Sequence, residues 1–129
     1  MQFEGSLMKA AIPEVLIMNL FNNSVDKSLK IDVFNFHKAF YQVKRSSKFQ
    51  EVMKKIKFCG SPASPYSVAL DEALSNLQYA GALSRKNPDL VMYSASENFN
   101  KLFEKLNVDF DSEEISILND LSKEVAHAL

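Results

Sequence analysis

Residues 65–83, Pro65-Tyr66-Ser67-Val68-Ala69-Leu70-Asp71-Glu72-Ala73-Leu74-Ser75-Asn76-Leu77-Gln78-Tyr79-Ala80-Gly81-Ala82-Leu83, decide how the whole chain is read. Tyr66, Leu70, Ala73, Leu74, Leu77 and Gly81 fall at the spacing of one helix face. The pattern predicts a helix with Ser64 as N-cap and Pro65 in the first position, where a missing N–H leaves no helical bond unmade. Gly81 then lets the chain leave the helix in a left-handed conformation. Immediately beyond it, Ala82-Leu83-Ser84-Arg85 and Leu90-Val91-Met92-Tyr93-Ser94 flank Lys86-Asn87-Pro88-Asp89, where proline presets a turn. A hairpin is the expectation.

Upstream, the turn-rich stretch Gly60-Ser61-Pro62-Ala63-Ser64-Pro65 is the clearest break in the chain, yet it is too short to serve as an interdomain linker. Lys57-Phe58-Cys59 before it reads as a brief extended segment. Phe49, Val52, Met53 and Ile56 predict a short third helix. Asp32 is placed to cap a second helix whose Phe36, Phe40 and Val43 form a stripe begun by Val33 and Phe34. The first helix starts at Pro13, carries Val15, Leu16, Ile17, Leu20 and Phe21, and stops at Asn22-Asn23-Ser24. Its apolar residues lie nearly all round, the mark of a central, buried element.

Downstream, Ser96 is a cap for a helix bearing Phe99, Leu102, Phe103 and Leu106, with Ser94 and Glu97 as a competing capping box. Asp111 and Glu114 are spaced as cap and capping-box partner of a last helix, residues 112–129. Its broad apolar face suits either closure over the domain's own core or a symmetric pairing of two chains in a homodimer. The fold class is therefore mainly α with a small β-hairpin, about five to six helices and a two- or three-stranded ribbon, in one domain spanning residues 1–129.

The run Pro65-Tyr66-Ser67-x-x-Leu70-x-x-Ala73-Leu74-x-x-Leu77-x-x-x-Gly81-x-Leu83, followed by a hairpin ending at Tyr93-Ser94, resembles the third helix and wing of winged-helix domains. The order of helices leading into a hairpin also agrees. The resemblance implies a regulatory domain that binds a macromolecule: DNA in many of its members, another protein in others, with some toxin-neutralising proteins similar at this level. Of the residues on the outward face of the third helix, Asn76 and Gln78 suit base reading, while Asp71 and Glu72 oppose a phosphate backbone.

Composition narrows the classes further. The 129 residues carry 15 Lys+Arg against 16 Asp+Glu, with 47% apolar residues, which excludes disordered and collagen-like chains. The balance is uneven along the chain: residues 38–57 hold seven bases and one acid, and residues 97–129 hold three bases and eight acids. Lys44, Arg45, Lys48, Lys54 and Lys55 are the candidate contacts of a basic patch, and Arg85 and Lys86 those of the wing. Solvated lysines offset by the acidic last helix are the plainer reading of the same charges.

Cys59 is the only cysteine, so no intramolecular disulfide forms, and a reducing cytoplasm fits. Met1–Ser6 lacks the basic run of a signal peptide, and no apolar stretch reaches bilayer length, so no membrane role is expected. His37 and His127 have no ligand partner at helical spacing, and three glycines leave no phosphate-cradling loop. His37 reads as a half-buried structural residue, Cys59 as a small packed thiol. Neither a metal, a cofactor nor an enzymatic activity is expected.

Overall fold

The computed structural model describes residues 10–86 and 92–129. At its centre is α1 (Pro13–Asn22), in which every residue from Val15 to Phe21 is buried. The one polar residue in that run, Asn19, satisfies its amide by donating to Val15 O at 2.8 Å and Asn107 Oδ1 at 3.0 Å. Burial of this side chain is tolerable because its amide nitrogen is hydrogen-bonded within the protein.

Val25–Lys27 form a short 3-10 turn that leads to β1 (Ser28–Lys30), a strand that the polar connection in the sequence did not announce. In α2 (Val33–Lys44), Asp32 Oδ1 accepts from the N–H groups of Phe34 and Asn35, as its capping position requires. Phe36, Phe40 and Val43 face inward. Val33 and Phe34, expected to begin that stripe, are instead 57% and 47% exposed, and Phe34 is flanked by the Lys38 ammonium from its own helix.

The expected third helix over Phe49–Ile56 is not an α-helix. Residues 47–55 run as consecutive turns, in which Phe49 N–H bonds Ser46 O, Lys54 bonds Glu51 and Ile56 bonds Met53, all three-residue closures. Only the Met53 to Phe49 bond has the four-residue reach of an α-helix, so no ladder propagates. Phe49, Val52, Met53 and Ile56 are nevertheless all buried, which is what their spacing encodes.

The helix of the opening stretch is α3 (Val68–Tyr79), capped by Ser67 rather than Ser64. The start moves because Tyr66 is held in an antiparallel bridge with Cys59, through bonds of 2.8 and 2.9 Å. Gly60, at φ +86°, closes the intervening loop, and a Cβ there would stand 2.7 Å from Ser64 O. Leu70, Ala73, Leu74 and Leu77 are buried against α1. Gly81 leaves α3 at φ +75°, directly into β2 (Leu83–Lys86).

β3 (Met92–Ala95) pairs antiparallel with β2 on one side and β1 on the other, giving a sheet of order β1-β3-β2. Tyr93 sits opposite both Leu29 and Arg85. The turn residues Asn87, Pro88 and Asp89, with Leu90 and Val91, lie outside the described residues, as does Met1–Ser6.

α4 (Phe99–Asn107) begins later than either capping reading allowed. Ser96 N–H and Asn98 N–H are bonded to Ala82 O and Gly81 O, and the Asn98 amide donates to Ala80 O, so this segment is tied to the end of α3 first. α5 (Ser112–Ala128) has the expected capping box, with Glu114 N–H to Asp111 Oδ1 at 2.9 Å and Asp111 N–H to Glu114 Oε1 at 3.0 Å. Its Leu118, Leu121, Ser122 and Val125 are buried, and the helix packs on α1 and α2. Leu118, Leu121 and Val125 of its apolar stripe thus belong to the domain's own core.

Candidate functional site

The basic candidates gather at the end of α2 and along the turns that follow. With Phe49, Val52, Met53 and Ile56 turned inward, Arg45, Lys48, Lys54, Lys55 and Lys57 are left at the exposed surface. Lys48 pairs with Asp120 of α5 at 3.2 Å, and Lys54 with Glu51 at 3.8 Å, exposed contacts of about 0–1 kcal/mol each. Lys44 is half-buried and donates to Ile56 O at 2.5 Å. Burial, and secondarily the positive charge of Lys57, hold its pKa below that of an ordinary lysine.

Asn76, Gln78 and Arg85 belong to a different surface, formed by α3 and β2. Asn76 Nδ2 donates to Glu14 Oε2 at 2.9 Å, and Gln78 Nε2 bonds Leu74 O within its own helix at 3.2 Å. Both groups proposed as base readers are therefore engaged inside the protein. The Arg85 guanidinium lies 5.2 Å from the centroid of Tyr93. Ser75, Gln78, Tyr79 and Arg85 line a cleft of about 420 Å³, and Lys86 closes β2 opposite Met92.

Tyr79 was not singled out by sequence, yet it is 94% exposed at the end of α3. The signal available was its place off the Leu70-Leu74-Leu77 stripe. Asp71 and Glu72 stand on the same outward side of the helix, lining a cleft with Tyr66, Val68, Ser75 and Asn76.

A polar cluster beneath that cleft was also missed, since its members lie 34 residues apart in sequence. His37, expected to be half-buried, is only 1% exposed and is stacked on Tyr66 with 4.6 Å between ring centroids. Its Nδ1 accepts from Ser67 N–H at 2.9 Å. A backbone N–H only donates, so Nδ1 is unprotonated and Nε2 carries the hydrogen directed at Asp71 Oδ1, 3.0 Å away. The Tyr66 hydroxyl donates to the other Asp71 oxygen. That bond, then burial and the nearby carboxylate charge, raises the Tyr66 pKa. With both ring nitrogens occupied, His37 has no lone pair to offer a substrate; the cluster fixes the start of α3 against α2.

Cys59 is exposed, contrary to the packed thiol expected, because its backbone rather than its sulfur is held by the bridge to Tyr66. Among the described residues no group of three or more His, Cys, Asp or Glu is arranged to hold a metal, and no helix is long and apolar enough to cross a membrane. No protein-family model, curated protein or solved structure matches the chain.

Proposed function

We propose that the chain is a winged-helix-type domain serving as a protein-interaction module in a regulatory or accessory role, without chemistry of its own, and that it docks its partner through the outward face of α3 and the adjoining strand β2. The winged-helix reading rests on a buried helix whose Leu70, Leu74 and Leu77 seat it on α1 and whose Gly81 feeds a paired ribbon. A chain with a single cysteine suits a reducing compartment such as the cytoplasm.

The observation that carries the partner class is the character of the α3 face. It presents the exposed Glu72 and an almost fully exposed Tyr79, with Asp71 beside them half-exposed and bonded back to His37 and Tyr66, and α3 contains no lysine or arginine. A helix that enters a DNA groove gains most of its affinity by bringing cations to phosphates, and this one brings acids. Tyrosine and arginine are both enriched among interface anchors, tyrosine because its rigid ring buries a large area at small conformational cost and arginine because its planar fork makes several charge-assisted hydrogen bonds. Tyr79 and Arg85 share one cleft here. The fitting partner is a protein surface with basic side chains opposite Asp71 and Glu72 and an apolar pocket for the Tyr79 ring.

A second reading, DNA binding, is favoured by the exposed cations of residues 44–57. Fluorescence anisotropy with random duplex DNA across a salt series separates the two. The interaction reading predicts at most weak, salt-sensitive binding, with Kd of about 10⁻⁵ M or weaker at physiological salt. That binding disappears when Lys44, Arg45, Lys54 and Lys55 are changed to Glu and is unmoved by Tyr79→Ala. Tight binding that Tyr79→Ala or Gln78→Ala weakens would establish α3 as a DNA reader and refute the interaction reading.

A further inference from the structure

A separate cleft of about 440 Å³, one turn and more along α2 from His37 toward its C-terminal end, is lined by Tyr41, Lys44, Arg45, Gln50 and Phe58. Its volume lies within the range of small-ligand sites, about 300–1,000 Å³. Tyr41 and Phe58 form one wall, with rings edge to face and centroids 5.4 Å apart. The Lys44 ammonium stands 6.0 Å from the Phe58 centroid, held there by its bond to Ile56 O. Arg45 follows directly as the C-cap residue of α2. No acidic residue lines the cleft, and Lys57 is near enough to repel the charge of Lys44.

Uncompensated cations beside aromatic rings select a particular ligand chemistry. An anion entering here relieves the repulsion between Lys44 and Lys57, and the planar fork of Arg45 suits the paired oxygens of a carboxylate or phosphate. A flat ring joined to that anion gains by stacking against Phe58 or Tyr41. Gln50 adds an amide able both to donate and to accept. We propose that this cleft is a binding site for a small anion carrying a planar ring, with its phosphate or carboxylate at Lys44 and Arg45 and its ring against Phe58 and Tyr41. The site is independent of the α3 face and stands whether that face meets protein or DNA.

NMR titrations of the full chain at low salt with adenosine monophosphate, benzoate, inorganic phosphate and adenosine test it. Saturable shifts of the Tyr41 and Phe58 ring resonances with adenosine monophosphate or benzoate are expected, at a Kd of about 1 mM or tighter, and whichever binds better identifies the anion as phosphate or carboxylate. Inorganic phosphate and adenosine alone each bind about tenfold more weakly or not at all, since each offers half of the recognition. Arg45→Ala, an exposed change that leaves the core intact, weakens binding about tenfold, and Phe58→Leu about threefold or more. Lys105→Ala, in a different cleft beside α4, changes nothing. Absence of a saturable shift with both adenosine monophosphate and benzoate overturns the proposal. Equal binding of inorganic phosphate and adenosine monophosphate, indifferent to Arg45→Ala, also overturns it, because it would reduce the cleft to general anion attraction.

Discussion

His37 shows how much a single side chain can decide without any signal in local spacing. Its ring joins α2 to the N-cap of α3 through Ser67 and Asp71, and Tyr66 covers it. His37→Phe keeps a ring in place but leaves the Ser67 N–H without its acceptor, so denaturant unfolding should show a loss of about 1–3 kcal/mol. The Tyr66 phenol gives the same cluster a pH signature. Its folded-state pKa is raised above the ordinary 10.0, so its contribution to stability is complete below that value and is lost as pH rises through the higher, folded value. Unfolding curves collected across alkaline pH should therefore fall more steeply for the native chain than for Tyr66→Phe. Parallel curves would show that the Tyr66–Asp71 bond is not kept in solution. Tyr93, also raised by burial, titrates in both proteins and cancels from the comparison.

Among the elements, those with strong local chemistry were legible in the sequence, and those set by distant partners were not. The Asp111 capping box was readable because both of its bonds depend on residues three apart. Asp111→Ala should cost about 1 kcal/mol, seen as a lower denaturation midpoint with an unchanged denaturant slope. Gly81 was readable for the same local reason. Gly81→Ala imposes a side chain at φ +75° and places its Cβ 2.7 Å from Asn98 Nδ2, so it should destabilise by at least about 1–2 kcal/mol. By contrast, β1 exists because β3 pairs with it across more than sixty positions of sequence, as in Ser28 with Ser94. The start of α3 was misplaced by three residues because Cys59 claims the backbone of Tyr66. Residues 47–55 kept their inward spacing but not their helix, since burial of Phe49 and Met53 can be met by turns as well as by an α-helical ladder.

For the molecule as a whole, the division of charge anticipated in the sequence divides into two surfaces in space. Lys44 and Arg45 line the aromatic cleft, and Lys48 reaches Asp120 on the acidic last helix, while α3 turns Glu72 and Tyr79 outward. The candidate residues were thus largely identifiable as exposed, but their partition was not, because Asn76 is spent on Glu14 and Gln78 on Leu74. Site-specific photo-crosslinking from position 79, in cells that express the protein, tests the central assignment most directly. A photoreactive phenylalanine there should yield a discrete adduct that resists nuclease, is destroyed by protease, and is lost when the exposed Glu72 is changed to Lys. A nuclease-sensitive adduct, or no adduct at position 79, would contradict the account.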